Sequence, residues 1–299
     1  MDMLQITGLH KRFGDKEVLQ GVDLSVPAHS IFGFIGKNGS GKTTTMKTVL
    51  GLLRADAGEI TVNGERVVYG QTATNRHIGY LPDVPEFYSF MTAEEYLRFC
   101  GEISGMSGSE TASRAKELLS LVGLSEEKHR IKGYSRGMKQ RLGIAQALLA
   151  KPKLLICDEP TSALDPVGRK EILDILLAVR EQTTVLFSTH ILSDVERICT
   201  EVAFLHNGKI AMQGPVDSLT RLRGKEEFVV ETVDRQGTQQ LQRAFGDARL
   251  TKEGTLVFTG GEEKMFAVMD HIHHNRISIR KIERIGTSLE SLFVEVVGK

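Results

Sequence analysis

Residues 31–43 constrain this chain more than any other stretch. An apolar run, Ile31-Phe32-Gly33-Phe34-Ile35, feeds Gly36-Lys37-Asn38-Gly39-Ser40-Gly41-Lys42-Thr43, and residues 44–53 follow with helical character. A strand, a GxxxxGK[ST] turn and a helix in that order form the context that a phosphate-binding loop requires. Glycines let successive backbone N–H groups curl around phosphate oxygens with no Cβ in the way. The helix start adds partial positive charge. The loop from Gly36 through Lys37, Asn38, Gly39, Ser40, Gly41, Lys42 and Thr43 to Thr44 is therefore the candidate nucleotide site. In it Lys42 would reach the β- and γ-phosphates, and the Thr43 hydroxyl would bind Mg2+.

Composition narrows the alternatives. Lys and Arg total 38 and Asp and Glu total 38, so the formal net charge is zero, which argues against a strongly basic nucleic-acid binder. Hydrophobic residues at 40% and charged residues at 25% exclude wholesale disorder. No run of 18 apolar residues occurs, and the N-terminus carries Asp2 without the apolar stretch of a signal peptide. Cys100, Cys157 and Cys199 have neither CxxC spacing nor the density of a disulfide scaffold, so reduced, buried thiols are expected. The expectation is a soluble intracellular chain whose membrane role, if any, comes through a partner.

A carboxylate pair supports the phosphate loop. Leu154-Leu155-Ile156-Cys157 is a continuous apolar run, as in a parallel strand buried on both faces, and it ends in Asp158-Glu159. By itself such an ending reads as a solvated strand edge. With a phosphate loop upstream, Asp158 is the candidate to hold Mg2+ through water and Glu159 the candidate general base facing the attacking water.

With these motifs in order, residues 4–219 resemble the ATP-binding subunits of ABC transporters. Tyr134-Ser135-Arg136-Gly137-Met138-Lys139-Gln140-Arg141 resembles the family signature, usually Leu-Ser-Gly-Gly-Gln. Ser162-Ala163-Leu164-Asp165 resembles the D-loop, and Ser188-Thr189-His190 the switch-histidine loop. Phe13 stands where the family stacks an aromatic ring on adenine. The resemblance implies γ-phosphate sensing by His190. It also implies that Ser135, Arg136, Gly137 and Met138 complete the site of an opposing subunit. Each segment has a local reading as well. Ser135 can cap a helix and form an anion site there, and Asp165-Pro166 is a helix start. His190 can be a polar residue at a strand end, and Phe13 can be core.

The departures from the pattern are informative. Asp83, in Gly79-Tyr80-Leu81-Pro82-Asp83, stands where the family commonly has glutamine; it keeps an acceptor for a metal-bound water but has no amide donor. Arg136 replaces the first signature glycine and brings a cation to that loop. Both strings, and Ser288-Leu289-Glu290-Ser291-Leu292-Phe293 near the end, resemble the drug- and antibiotic-export branch.

The organisation expected is an α/β core with antiparallel β and helical subdomains over residues 1–219. The helical insert, 91–149, opens on the capping box Thr92-x-x-Glu95. Residues 202–212 suggest a hairpin turning at Asn207-Gly208, and Gly58 and Gly64 are expected in turns. Residues 220–299 carry strand and helix patterns in the order βαββαβ plus a helix, which suits a small ferredoxin-like α+β domain. His271, His273 and His274 lack the companions of a metal site and are expected to be surface residues.

The function implied by the resemblance is the ATPase subunit of an ABC exporter, using ATP and Mg2+. It would work as a homodimer or heterodimer with a permease on a separate chain, peripheral on the inner face of the cell membrane. The alternative is a soluble ABC-type ATPase acting as a mechanical switch on nucleic acid or a protein assembly. Coiled-coil arms, a second cassette or a basic face would favour it, and none is evident.

Overall fold

The structure, a computed structural model, describes residues 2–71, 73–222, 227–251, 254–285, 289–290 and 292–293. It divides into two compact units, Met1–Val216 and Asp217–Lys299.

In the first unit an antiparallel sheet is built from β1 (Asp2–Phe13), β2 (Lys16–Pro27), β4 (Ala57–Val62) and β5 (Glu65–Arg66), in the order β2-β1-β4-β5. Residues alternate between core and solvent along much of β1 and β2, as a sheet wet on one side requires. Gly58 lies inside β4 rather than in a turn: a Cβ there would stand 2.3 Å from the carbonyl oxygen of Gly8, so only glycine permits the two strands to approach. Gly64 follows Asn63 in a left-handed turn, as expected.

The second sheet contains β3 (Ile31–Ile35), β6 (Ile78–Leu81), β7 (Leu154–Asp158), β8 (Thr184–Thr189), β9 (Glu201–His206) and β10 (Lys209–Pro215), in the order β10-β9-β3-β8-β7-β6. All pairs are parallel except the β9–β10 hairpin, whose turn residues Asn207 and Gly208 both have positive φ. Every residue of β3, β7 and β8 is buried, which is why each contains an apolar run without polar alternation.

Register fixes where the chemistry goes. Ile35 pairs with Thr189, Ser188 with Asp158, and Cys157 with Leu81. Four strands thus end on one edge, and the chain leaves them at Gly36, His190, Glu159 and Pro82. Loops at the carboxyl ends of parallel strands form the usual ligand crevice of such sheets.

Helix α1 (Lys42–Val49) follows β3. The insert supplies α2 (Ala93–Ile103), α3 (Gly108–Leu121) and α4 (Arg136–Leu148). The capping box is formed: Thr92 Oγ1 accepts from Glu95 N, and Glu95 Oε2 accepts from Thr92 N. These bonds hold the Glu95 carboxyl below its ordinary range. Helix α5 (Pro166–Val179) is capped by Asp165, whose Oδ1 accepts from Gly168 N at 3.0 Å, with proline in the first turn. Helix α6 (Leu192–Ile198) follows β8, and α7 (Val216–Leu222) begins at the last residue of the first unit and runs on into the second.

In the second unit β11 (Glu227–Thr232), α8 (Arg235–Ala244), β12 (Arg249–Leu250), β13 (Leu256–Thr259), α9 (Glu262–His274) and β14 (Ile279–Ile285) follow in the βαββαβ order. Their sheet is antiparallel, in the order β12-β13-β11-β14. Phe228 and Phe258 stack at 5.0 Å between centroids in a core that also holds Val230, Leu241 and Val268. Burying each such side chain contributes about 1.5–3 kcal/mol.

His273 and His274 are exposed, but His271 is half-buried, with its ring edge-on to Phe245 at 5.4 Å. It is therefore a packing residue rather than a surface one. Of the terminal helix expected over 289–297, residues 289–290 and 292–293 are helical and the rest lies outside the described residues. All three cysteines are free; Cys157 is buried, whereas Cys100 and Cys199 are intermediate in exposure.

Candidate nucleotide site

The crevice at the strand ends is a cleft of about 540 Å3. Asn38, Gly39, Gly41, Lys42, Thr43 and Thr44 line its floor. Asp158, Glu159, His190 and Asp83 face them, with Ser162 beside them and Phe13, Lys16 and Val18 at one side.

The loop geometry depends on its glycines. Gly39 and Gly41 have φ of 79° and 111°, the left-handed region that turns successive amides to one side. A Cβ on Gly36 would stand 2.5 Å from Ser40 Oγ, and that buried hydroxyl has no hydrogen-bond partner among the described residues. A tight amide cradle with an unpartnered hydroxyl and a helix N-terminus behind it suits a polyphosphate. Gly36, Lys37 and Ser40 are not among the residues that line the cleft.

Lys42 folds back over the cradle. Its Nζ donates to the Gly36 carbonyl at 2.7 Å and lies 3.1 Å from Glu159 Oε1, off the line of a hydrogen bond. Glu159 Oε2 accepts from His190 Nδ1 at 2.9 Å, so the carboxylate is held between a cation and an imidazole. Glu159 has φ 48°, a left-handed conformation that is uncommon for a residue with a side chain.

Asp158, 3% exposed, has both oxygens engaged: Oδ2 accepts from Thr43 Oγ1 at 2.7 Å and Oδ1 from Ser188 Oγ at 2.6 Å. Thr43 and Asp158, the two residues that would hold Mg2+, are thus already in contact, and their hydroxyl and carboxylate oxygens are the donors such a hard cation takes. Bound there, the cation would neutralise charge on the β- and γ-phosphates.

Ser188 is a site residue whose role the sequence reading did not assign. Its hydroxyl donates to Asp158 while accepting from the Glu159 amide at 3.0 Å, so one side chain orients both carboxylate residues. Ser188→Ala is expected to destabilise the protein by about 1–3 kcal/mol, seen as a lower midpoint of unfolding. An unchanged midpoint would show that Asp158 does not depend on this donor. A second brace lies behind the site: buried Asp194 accepts from Thr161 Oγ1 at 2.7 Å and Arg169 Nη2 at 2.6 Å, tying α5 and α6 to the turn after Glu159.

Asp83 lies 3.5 Å from Arg136 Nη2. Burial pushes its carboxyl above the usual range; Arg136 opposes the shift, and Asp158 and Glu159 add to it. Ser135 caps α4, accepting from Met138 N at 3.2 Å. Ser135, Arg136, Gly137, Met138 and Asp165 do not line the cleft of their own chain.

The family profile described as ABC transporter matches residues 19–162. An uncharacterized ABC transporter ATP-binding protein of Bacillus subtilis, YxlF, is 38% identical, over 99% of each chain. The chain belongs to the ATP-binding subunits of ABC transporters. As such it is an ATP-hydrolysing transporter subunit, and the family binds ATP, generally with Mg2+. The bacitracin transport ATP-binding protein BcrA of Bacillus licheniformis is 34% identical over 99% of this chain and 97% of its own. A solved ATP-binding subunit of an ABC transporter superposes with a TM-score of 0.66 at 33% identity, over 74% of this ABC subunit and 92% of that chain. Among its described residues no helix is long and apolar enough to cross a membrane.

Proposed function

We propose that this chain is the ATPase of an exporter, working as a nucleotide sandwich of two such subunits that moves a permease on a separate chain. It would be held on the inner face of the cell membrane through that permease. The observation that carries the reading is the likeness to the bacitracin transport protein, which runs through both units of this chain.

Within the cleft, Glu159 would draw a proton from the attacking water as general base. Lys42 and the N-terminus of α1 would offset charge on the phosphates. His190, hydrogen-bonded to Glu159, would report the state of the γ-phosphate, and Phe13 would stack on the base. Thr43 and Asp158, with Asp83 across the cleft, would hold the cation. Ser135 to Met138, with Asp165, would serve the opposing subunit; their absence from the cleft lining of their own chain fits this reading.

The test is affinity purification of the tagged full-length chain from detergent-solubilised membranes. Recovery of a polytopic membrane subunit, in an amount that tracks the tag, is expected. Recovery with nucleic acid, or without any membrane subunit, would overturn the reading.

A further inference from the structure

Helix α4 grips Asp83 in two ways. Gln140, fully buried on that helix, donates through Nε2 to the Asp83 carbonyl at 2.7 Å, and its Oε1 has no partner among the described residues. One turn earlier, Arg136 Nη2 lies 3.5 Å from Asp83 Oδ1. Between these contacts and the far end of the helix there is no slack: a Cβ on Gly143 would stand 2.5 Å from Leu81 Cδ1 and 3.4 Å from Pro85 Cβ. Helix α4 therefore lies directly on the segment that follows β6.

The two ends of this contact face different places. Asp83 lines the nucleotide cleft with Lys42, Thr43, Asp158 and Glu159. Ser135 and Arg136, at the start of α4, are exposed and outside that lining. We propose that Arg136 and Gln140 are positioning residues that clasp Asp83, so that the first turn of α4 and the carboxylate edge of the cleft shift together. Gln140 fixes the backbone of Asp83 through a buried bond. Arg136 supplies a cation beside a carboxylate that shares its cleft with two others. Because both charged side chains are about half exposed, their pairing is weak and is made and broken easily. The proposal rests on ATP hydrolysis in this cleft and needs neither export nor a membrane partner.

The decisive experiment is a double-mutant cycle on the purified full-length chain, with kcat and KM for ATP measured alongside equilibrium binding of a fluorescent ATP analogue. Arg136→Ala is expected to lower kcat about three- to fivefold, the upper range for an exposed pair, with KM changed less than twofold. Arg136→Lys, which keeps the cation, is expected to recover most of the loss. In an Asp83→Asn background, Arg136→Ala is expected to cost nothing further. An equal loss in both backgrounds, or none in either, would mean that Arg136 does not act through Asp83 and would overturn the proposal.

Gln140→Met fills the space without the donor. It is expected to lower kcat and to speed hydrogen exchange at the amides of Leu81, Asp83 and Val84; no change in either would remove Gln140 from the clasp. If that variant fails to fold, the Arg136–Asp83 cycle decides alone, since both side chains are exposed. Absence of ATPase activity in the unmutated chain would instead refute the ATPase reading, a separate outcome.

Discussion

Glu159→Gln is expected to reduce ATP turnover by about 10^2- to 10^4-fold, the range that a positioned general base contributes. Glutamine keeps the volume and can still bond His190, so the neighbouring geometry survives while the proton acceptor is lost. Nucleotide affinity is expected to stay level or rise, because a negative charge beside the phosphate cradle disappears. The carboxylate now lies 3.1 Å from Lys42 Nζ and accepts from His190 at 2.9 Å. Steady-state turnover together with equilibrium binding separates the two effects. Turnover within a few-fold of the unmutated chain would remove Glu159 as the base.

Lys42→Ala should fail differently, in affinity as well as in rate. The Lys42 side chain is 5% exposed, and its ammonium is anchored by the Gly36 carbonyl at 2.7 Å. Losing a preorganised charge of this kind costs about 10^2–10^3 in kcat. Binding should weaken at the same time, because ATP is held in its ground state by the same charge. The substitution also strips Glu159 Oε1 of its counter-charge inside the protein, so pairing Lys42→Ala with Glu159→Gln should restore part of any lost stability. Calorimetric titration with ATP, with thermal unfolding as a control, reads both consequences. Wild-type affinity and rate would remove the phosphate-loop assignment.

Much of this site could be read from residue order, for a definite reason. β3, β7 and β8 are buried on both faces, so each holds an apolar run, and these runs break off at Gly36, Asp158 and Ser188, with Glu159 and His190 close behind. Helix starts at Thr92 and Asp165 were legible because capping is a local code. Contacts set by strand neighbourhood were not legible. Ser188 meets Asp158 only because β8 lies beside β7 in that register, and Arg169 reaches Asp194 only because α5 and α6 are adjacent. Gly58 looked like a turn because local pattern cannot show that another backbone passes 2.3 Å from its missing Cβ. Lys16 and Val18 line the cleft from β2, just after Phe13, but nothing in their residue types or spacing marks them. In the second unit the element order followed from alternation, but the surroundings of His271 depend on Phe245, brought to it by tertiary packing.

The left-handed backbone of Glu159 has a consequence for how this chain can be improved or can drift. At φ 48° any side chain carries a steric penalty that glycine escapes, of the order of 1 kcal/mol. Glycine there would release that strain but would strip buried Lys42 of its counter-charge and His190 of its acceptor, a larger loss, and would remove the proposed base in the same step. The strained backbone is therefore held by the same ion pair and hydrogen bond that hold the carboxylate in the cleft, so stability and the proposed chemistry favour the same residue at this position.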